Sequence, residues 1–583
     1  MTLGTEEETA FSVDLSDLIR TGVQLNKFDR EIPFWKSSDG VEFTESSIRR
    51  KPGRDSIINV GTSPVRGILP VIEDAQKVIY IGDLTSLYTY GQGTSLLDTV
   101  GTGYSLIRAG GASEWDSGAS EWDSGGSVWD EGILQASQWS MINFGSWVLA
   151  ANNNQPIQIK KNNVNFNDLL FTEVSGVIIT TAGSGYLVDD TITFTGGTGT
   201  GLAGTVVEVS GGGVTKIEIT NFGSGYLNAE TLTQASTSGI GTGVEIQLTV
   251  PDTTFTRVRV LSKLGPHVLA FNYDKPGLEL GTDFAWCSED DPDTWVAAAA
   301  NSAGSLTIRE AKSEIKAAVP LGDNIAVYTE SQLFIVSYVR APFYFGYRPA
   351  MDSGIGAVSI NSVVSVENLN YGLSRRGLFK TDGVNIELIG SDSGVDDYIR
   401  DNIASTEYPQ VTAYHNERNT EVTWSLPINL AEPTQEIFYN YATGAVGLRS
   451  SSLSALHDSG IFDLPISGDV SGNVYFEGTG VSAQTTTAET RAHDLGDANR
   501  IKELTSLRIG KEGEGNPEVS IGWADSINDT PVYVDSFNTN ETFDEHYLRT
   551  AGRYLFLKLE STSPSDTWEI SSMLLQGRLS GSR

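Results

Sequence analysis

The sequence predicts an all-β protein: a β-propeller of about six or seven blades, with an inserted small β-repeat domain and a C-terminal β-sandwich-like domain. Three observations lead there. Short apolar runs alternate with turn residues over most of the 583 residues. A Gly-Ser-Gly-Tyr motif at Gly183–Tyr186 returns at Gly223–Tyr226, in a segment dominated by Thr, Val, Ile and Gly. Glycine, at 62 residues, is frequent enough for a chain rich in tight turns.

The alternation is most regular from Ile315 to Gly390. Residues 325–328 and 333–336 read as strands joined by a four-residue polar link, which is hairpin spacing. Residues 363–366, 370–374, 378–381 and 384–389 repeat the scheme, with turns at Glu367-Asn368, Arg375-Arg376-Gly377 and Asp382-Gly383. No proline interrupts these strands, so both edges are free to pair. Two neighbouring blades of an antiparallel meander are expected here.

In chain order, residues 1–60 form an N-terminal arm and first strands, with a strand expected from Phe11 to Leu18. Residues 61–170 begin the propeller. Within them, Ser-Glu-Trp-Asp returns at Trp115 and Trp122, and more loosely at Trp129. The spacing is seven, but Gly is too frequent for a helix, so an exposed acidic loop is expected. Trp139 to Ile159 reads as a hairpin. Residues 171–250 are the inserted β-repeat domain. Residues 251–484 resume the propeller, with hairpin turns at Gly265-Pro266 and Thr443-Gly444. Residues 485–583 form the C-terminal platform, where Tyr554 to Leu559 alternates as a half-buried strand does.

Charge and cysteine content exclude several function classes. With 39 Lys and Arg against 74 Asp and Glu, the net charge is −35. Such a surface repels phosphates and anionic membranes rather than binding them. The single cysteine, Cys287, rules out an internal disulfide and a multi-thiolate zinc site. The acidic N-terminus lacks the apolar core of a signal peptide, and no apolar run is long enough for a transmembrane helix.

No catalytic, cofactor-binding or metal-ligating residue emerges. His267, His415, His457, His493 and His546 are scattered without metal-ligand spacing. Cys287 sits in a strand, where a small apolar filler is expected. The run Glu289-Asp290-Asp291-Pro292-Asp293 suits a turn, with calcium binding as its functional alternative. The glycines of the repeat lack the lysine and following helix of a phosphate loop. Arg49, Arg50, Lys51 and Arg54 form the densest basic cluster, read as a solvated loop or as ion pairs to a neighbour.

A family resemblance accompanies these residues. Phe284-Ala285-Trp286-Cys287-Ser288 with Asp291-Pro292-Asp293-Thr294-Trp295 resembles a Trp-Ser, then Asp-Pro-x-x-Trp pattern, from which Cys287 departs by separating Trp286 and Ser288. Ala326–Glu330, Phe343-Tyr344-Phe345, Gly354-Ile355-Gly356 and Arg376–Gly383 follow in succession. Gly552–Leu555, Trp568-Glu569-Ile570 and Gly581-Ser582-Arg583 close the chain. This succession is similar to the tail nozzle (tail tubular, or head-to-tail stabilisation) proteins of short-tailed bacteriophages, from about residue 60 to the end, apart from the Ser-Glu-Trp-Asp loop. The resemblance implies a virion tail component assembled in the host cytoplasm. It implies a homohexameric ring below the portal and adaptor, enclosing a channel through which genomic DNA passes without sequence-specific binding. Tail fibres or tailspikes attach nearby, and no enzymatic activity or cofactor is implied. The alternative is a propeller-type phage adhesin that binds or degrades glycans, which needs convergent carboxylates in a central pocket. A calcium-stabilised adhesin is a third reading of the acidic loops.

Overall fold

The computed structural model describes residues 9–25, 35–91, 96–102, 104, 107–108, 135–136, 138–161, 166–168, 176–224, 226, 229–249, 255–275, 278–297, 301–458, 460–479, 485–540 and 543–580. Nearly all of their regular structure is β. Two short α-helices, Ser16–Thr21 and Val395–Asn402, are present among these residues.

Seven four-stranded antiparallel sheets follow one another as meanders, because each apolar run is separated from the next by a short turn. Their first strands are Gly67–Glu73, Ser140–Phe144, Arg257–Leu264, Ala317–Leu321, Val363–Val366, Thr412–Asn416 and Leu453–His457. Each first strand packs beside the next, and the seventh returns to the first, which closes a propeller of seven blades. The outermost strand of the seventh blade comes from far upstream. Arg54–Asn59 pairs antiparallel with Asn473–Glu477, so the ring is shut by a strand from before the first blade. Closure removes an edge that an open array would expose.

The Ile315 to Gly390 stretch forms the fourth and fifth blades, over Ala317–Met351 and Val363–Leu388. One turn departs from the sequence expectation. Asp382-Gly383 does not make a two-residue hairpin, since the next strand is only Ile386–Leu388. The Asp382 carboxylate instead accepts hydrogen bonds from the N–H groups of Val384 (2.8 Å) and Asn385 (2.6 Å), which extends the loop as an Asx turn.

The strands before Arg54 join those after Thr486. One sheet runs Val41–Phe43, Ile48–Arg50, Glu569–Ser580, Ile501–Glu512 and Phe543–Tyr547, with Thr9–Asp14 along Glu569–Ser580. The second runs Trp35–Asp39, Thr486–Thr490, Tyr554–Ser561, Glu518–Ala524 and Val532–Asn538. The expected strand from Phe11 to Leu18 is corrected. It stops at Asp14, whose carboxylate accepts from the Ser16 N–H, and a helix begins. Leu15 and Leu18 are both buried, a three-residue spacing that fits a helix face. One core spans this platform and the fifth and sixth blades, from Trp35, Phe43 and Trp568 to Leu373, Trp424 and Phe438.

Residues 176–249 form a separate six-stranded sheet with its own core. Its order places Thr191–Thr195 beside Thr231–Thr237 at the centre and the remaining strands of the two repeats symmetrically outside. The repeated tyrosines explain the motif. Tyr186 and Tyr226 are buried, and each hydroxyl accepts a backbone N–H from the other repeat: Val244 to Tyr186 at 3.1 Å, and Leu202 to Tyr226 at 3.3 Å. Gly183, at φ +63°, passes so close to Thr242 and Tyr186 that a Cβ there would lie 2.6 Å from the Thr242 carbonyl.

Candidate functional site

Two regions gather polar groups: the axial channel of the propeller, and the junction between propeller and platform. The channel encloses about 640 Å³ and is lined by the first strands of all seven blades. Every blade starts from its inner strand, so these strands run in the same direction and their C-terminal ends share one mouth. Asn143, Lys263, Ser365, His415 and Asp458 lie at those ends. The middle is apolar, with Leu69, Met141, Leu261, Val319, Val364 and Leu456.

The channel's titratable groups do not converge. His415 Nδ1 stands 3.7 Å from Asp458, and its Nε2 meets the Tyr441 hydroxyl at 3.1 Å. Burial lowers the His415 pKa against the pull of Asp458, and burial raises that of Asp458. Burial also brings His457 down to about 4, so it is neutral at pH 7. Asp458 is the one carboxylate among the residues lining this cavity. A hydrolytic carboxylate pair of the kind found in glycosidases is not assembled there.

The junction holds the basic cluster. A cavity of about 500 Å³ opens between the platform and the last two blades, lined by Arg49, Arg50, Lys51, Arg418, Glu42 and Glu477 among others. Arg49, Arg50 and Arg54 sit on strands and Lys51 on the connection between them; Arg50 is buried, and the other three are half-buried beside carboxylates. Arg49 Nε donates to Glu42 (2.8 Å), and Lys51 Nζ donates to Glu436 (3.1 Å) with Glu477 at 3.7 Å. Arg50 donates to the Ser563 carbonyl. Arg54 lies 3.9 Å from Glu477 and covers the Tyr475 ring.

Behind them lies Arg449, which sequence inspection did not single out. Its guanidinium is buried, makes two 3.0 Å bonds to the Glu421 carboxylate, donates to the Val41 carbonyl at 3.0 Å and stacks on Phe438 at 3.6 Å. Burial opposes its charge, but Glu421, Glu42 and Glu436 outweigh burial and hold it protonated. Burial likewise opposes ionisation of Glu436, yet Lys51 and Arg449 bring that carboxyl down to about 2. Burial lifts Glu421 to about 7 against the attraction of Arg449. The arrangement clamps two blades to the platform, with its cations and carboxylates directed at one another.

The remaining candidates are engaged in packing and turn contacts. Cys287 is buried, its sulfur accepts the Val268 N–H at 3.0 Å, and burial pushes its thiol up to about 12, far from a reactive thiolate. The Glu289–Asp293 run is a turn. Asp291 accepts from the Thr294 hydroxyl at 2.8 Å, Asp293 pairs with Lys161, and Trp295 Nε1 donates to the Pro292 carbonyl at 2.7 Å. His267 is buried beside Ser302, His493 bridges to Leu555, and His546 stacks on Phe537 with ring centroids 3.6 Å apart. The Ser-Glu-Trp-Asp repeats, the second glycine of the second Gly-Ser-Gly-Tyr motif, and Gly581-Ser582-Arg583 lie outside the described residues.

Among the described residues, no group of three or more His, Cys, Asp or Glu is placed to hold a metal ion, and no helix is long and apolar enough to cross a membrane. No family model matches the chain. No curated protein matches it either. Among solved structures, the chain is similar to one titled "Crystal Structure of Mitotic Checkpoint Complex". The likeness covers 78% of this chain and 94% of that one, at 10% identity and a TM-score of 0.33. A similarity of that strength carries no argument; the propeller assignment rests on the closed ring of seven sheets.

Proposed function

We propose that this protein is a structural component of a bacteriophage tail. In this reading six copies form a nozzle ring below the portal and adaptor, enclose the channel through which DNA leaves, and support fibre or tailspike attachment. The observation that carries it is how the motif residues are used. Gly377 of the Arg-Gly-Leu-Phe segment lies against the Asp396 carboxyl, and the Leu378 N–H donates to that carboxyl at 2.8 Å. Gly356 of Gly-Ile-Gly lies so close to Thr329 that a Cβ would stand 2.1 Å from its carbonyl. Trp295 caps its own turn. These residues are used in close packing and turn geometry, as scaffold residues are.

The charge of −35 supports the same reading, because an acidic lumen lets a polyanion slide without adhering. Electron microscopy of purified virions tests it. A six-fold ring containing this chain at the tail is expected; isolated single copies in the virion would overturn it. Release of oligosaccharide from host polysaccharide by the purified chain would favour the glycan-degrading alternative.

A further inference from the structure

Two exposed apolar surfaces of opposite charge lie on different parts of the chain. The first is the tip of the hairpin between the third and fourth strands of the fourth blade, Leu333–Arg340 and Tyr344–Met351. Phe343 is 74% exposed there, and Val339 and Tyr338 are exposed beside it. The hairpin packs against the third blade. Tyr338, Tyr344 and Phe345 surround the buried ring of His267 from the third blade, with centroid distances of 5.2–6.2 Å. Arg340 and Arg348 on this hairpin are exposed, and neither forms an ion pair with the described residues. In a chain so short of positive charge, unpaired Arg340 near exposed Phe343, with unpaired Arg348 further down the same hairpin opposite Ile335, makes this a cationic hairpin with an apolar tip.

The second surface is on the platform. Val532–Asn538 ends one platform sheet and Phe543–Tyr547 ends the other, so both are edge strands. Val532, Tyr533 and Val534 are exposed in succession, and Tyr547 is 84% exposed. A β-bulge leaves Val534 as the extra residue between the pairs Ile521–Asp535 and Gly522–Tyr533, and an apolar edge is ordinarily also shielded by lysines. Here no lysine or arginine occurs from Glu512 to Leu548, while nine Asp and Glu do; Arg549, whose N–H donates to Asp535 of the edge strand at 2.7 Å, is an exposed cation beside this acidic stretch. Exposed Glu518, Asp525 and Asp529 frame the edge.

We infer that the hairpin tip around Phe343 of one copy docks on the platform edge at Val532–Val534 of the next copy. Tip against tip opposes arginine to arginine, and edge against edge opposes carboxylate to carboxylate. Tip against edge alone pairs opposite charges and buries both apolar patches. Two different surfaces that fit one another make a heterologous contact, which propagates around a ring rather than stopping at a dimer. This assignment rests on the ring reading above and specifies which surfaces build it.

The test is cross-linking in the full-length chain. Cys287 is buried, so new surface cysteines react selectively. A Phe343→Cys, Val534→Cys double variant, treated with a short bis-maleimide at high protein concentration, gives a covalent multimer ladder; neither single variant does. Analytical ultracentrifugation of the untreated wild-type chain gives its assembly state independently. Multimers without a 343–534 cross-link overturn this contact and leave the ring standing. A chain that stays monomeric and uncross-linked overturns the contact and counts against self-assembly of the ring. Arg340→Glu combined with Arg348→Glu keeps the fold, checked by circular dichroism, and weakens association by about tenfold or more. Unchanged association in that variant also overturns the inference.

Discussion

Two regions bury carboxylates, and they do so in opposite ways. At the junction, Glu421 and Glu436 are surrounded by Arg449 and Lys51. On the helix Val395–Asn402, Asp396 is buried against the turn between the second and third strands of the fifth blade, and it forms no ion pair among the described residues. One oxygen accepts the Leu378 N–H, and the other has no partner. Burial raises Asp396 to about 6, whereas Glu436, buried more completely, is held at about 2 by its cations. Neither burial nor a matched cation sets protonation by itself: Glu421, bonded to Arg449, is still raised to about 7, so the balance of desolvation against all nearby charges decides.

The largest expected effect comes from removing that cation. Arg449→Met leaves Glu421 and Glu436 buried with only Lys51 and the more distant Arg54 to balance them, and a loss of roughly 3–5 kcal/mol is expected. Urea denaturation reads this as a fall in midpoint, and separate melting of platform and propeller would show that the clamp couples them.

Asp396→Asn has the opposite sign. A carboxyl whose folded pKa is raised favours folding when protonated; that contribution is complete below the ordinary aspartate pKa and is lost as pH rises through about 6. The variant is therefore more stable than wild type at pH 8, by up to roughly 3 kcal/mol at about 1.4 kcal/mol per pKa unit, and the gap closes by about pH 4. A gap independent of pH would mean that the aspartate is ionised at no cost.

Acid titration sharpens the same contrast. Glu436 is lowered, so its contribution is present above the ordinary glutamate range and is lost as pH falls toward 2. Glu436→Gln is expected to flatten the acid limb of a stability–pH profile below about pH 4. The smallest effect belongs to the channel mouth. Lys263 is exposed and lines open space, so Lys263→Ala is expected to change stability by less than about 0.5 kcal/mol.

Most blades were legible in the sequence because their contacts are local. Gly265-Pro266 and Thr443-Gly444 sit between strands that pair with their immediate neighbours. The closing strand was not legible. Arg54–Asn59 carries a strand-like pattern, but nothing in it names Asn473–Glu477 as its partner. The junction was half legible. Arg49 to Arg54 stood out as a cluster, while Glu421, Glu436 and Arg449 are single charges within ordinary strands. They become a site only when two blades and the platform meet. Phe11 to Leu18 shows the limit of periodicity: its second half satisfies a helix spacing as readily as an alternation.

The sequence by itself determined the β class, the meander repeat, the inserted repeat unit and the acidic charge, since each depends on composition or on neighbours a few residues apart. Only the tertiary structure decided the blade count, the strand that shuts the ring and the partners of the buried charges. Those depend on contacts between residues hundreds of positions apart, and at such separations strand pattern specifies that a partner exists without specifying which.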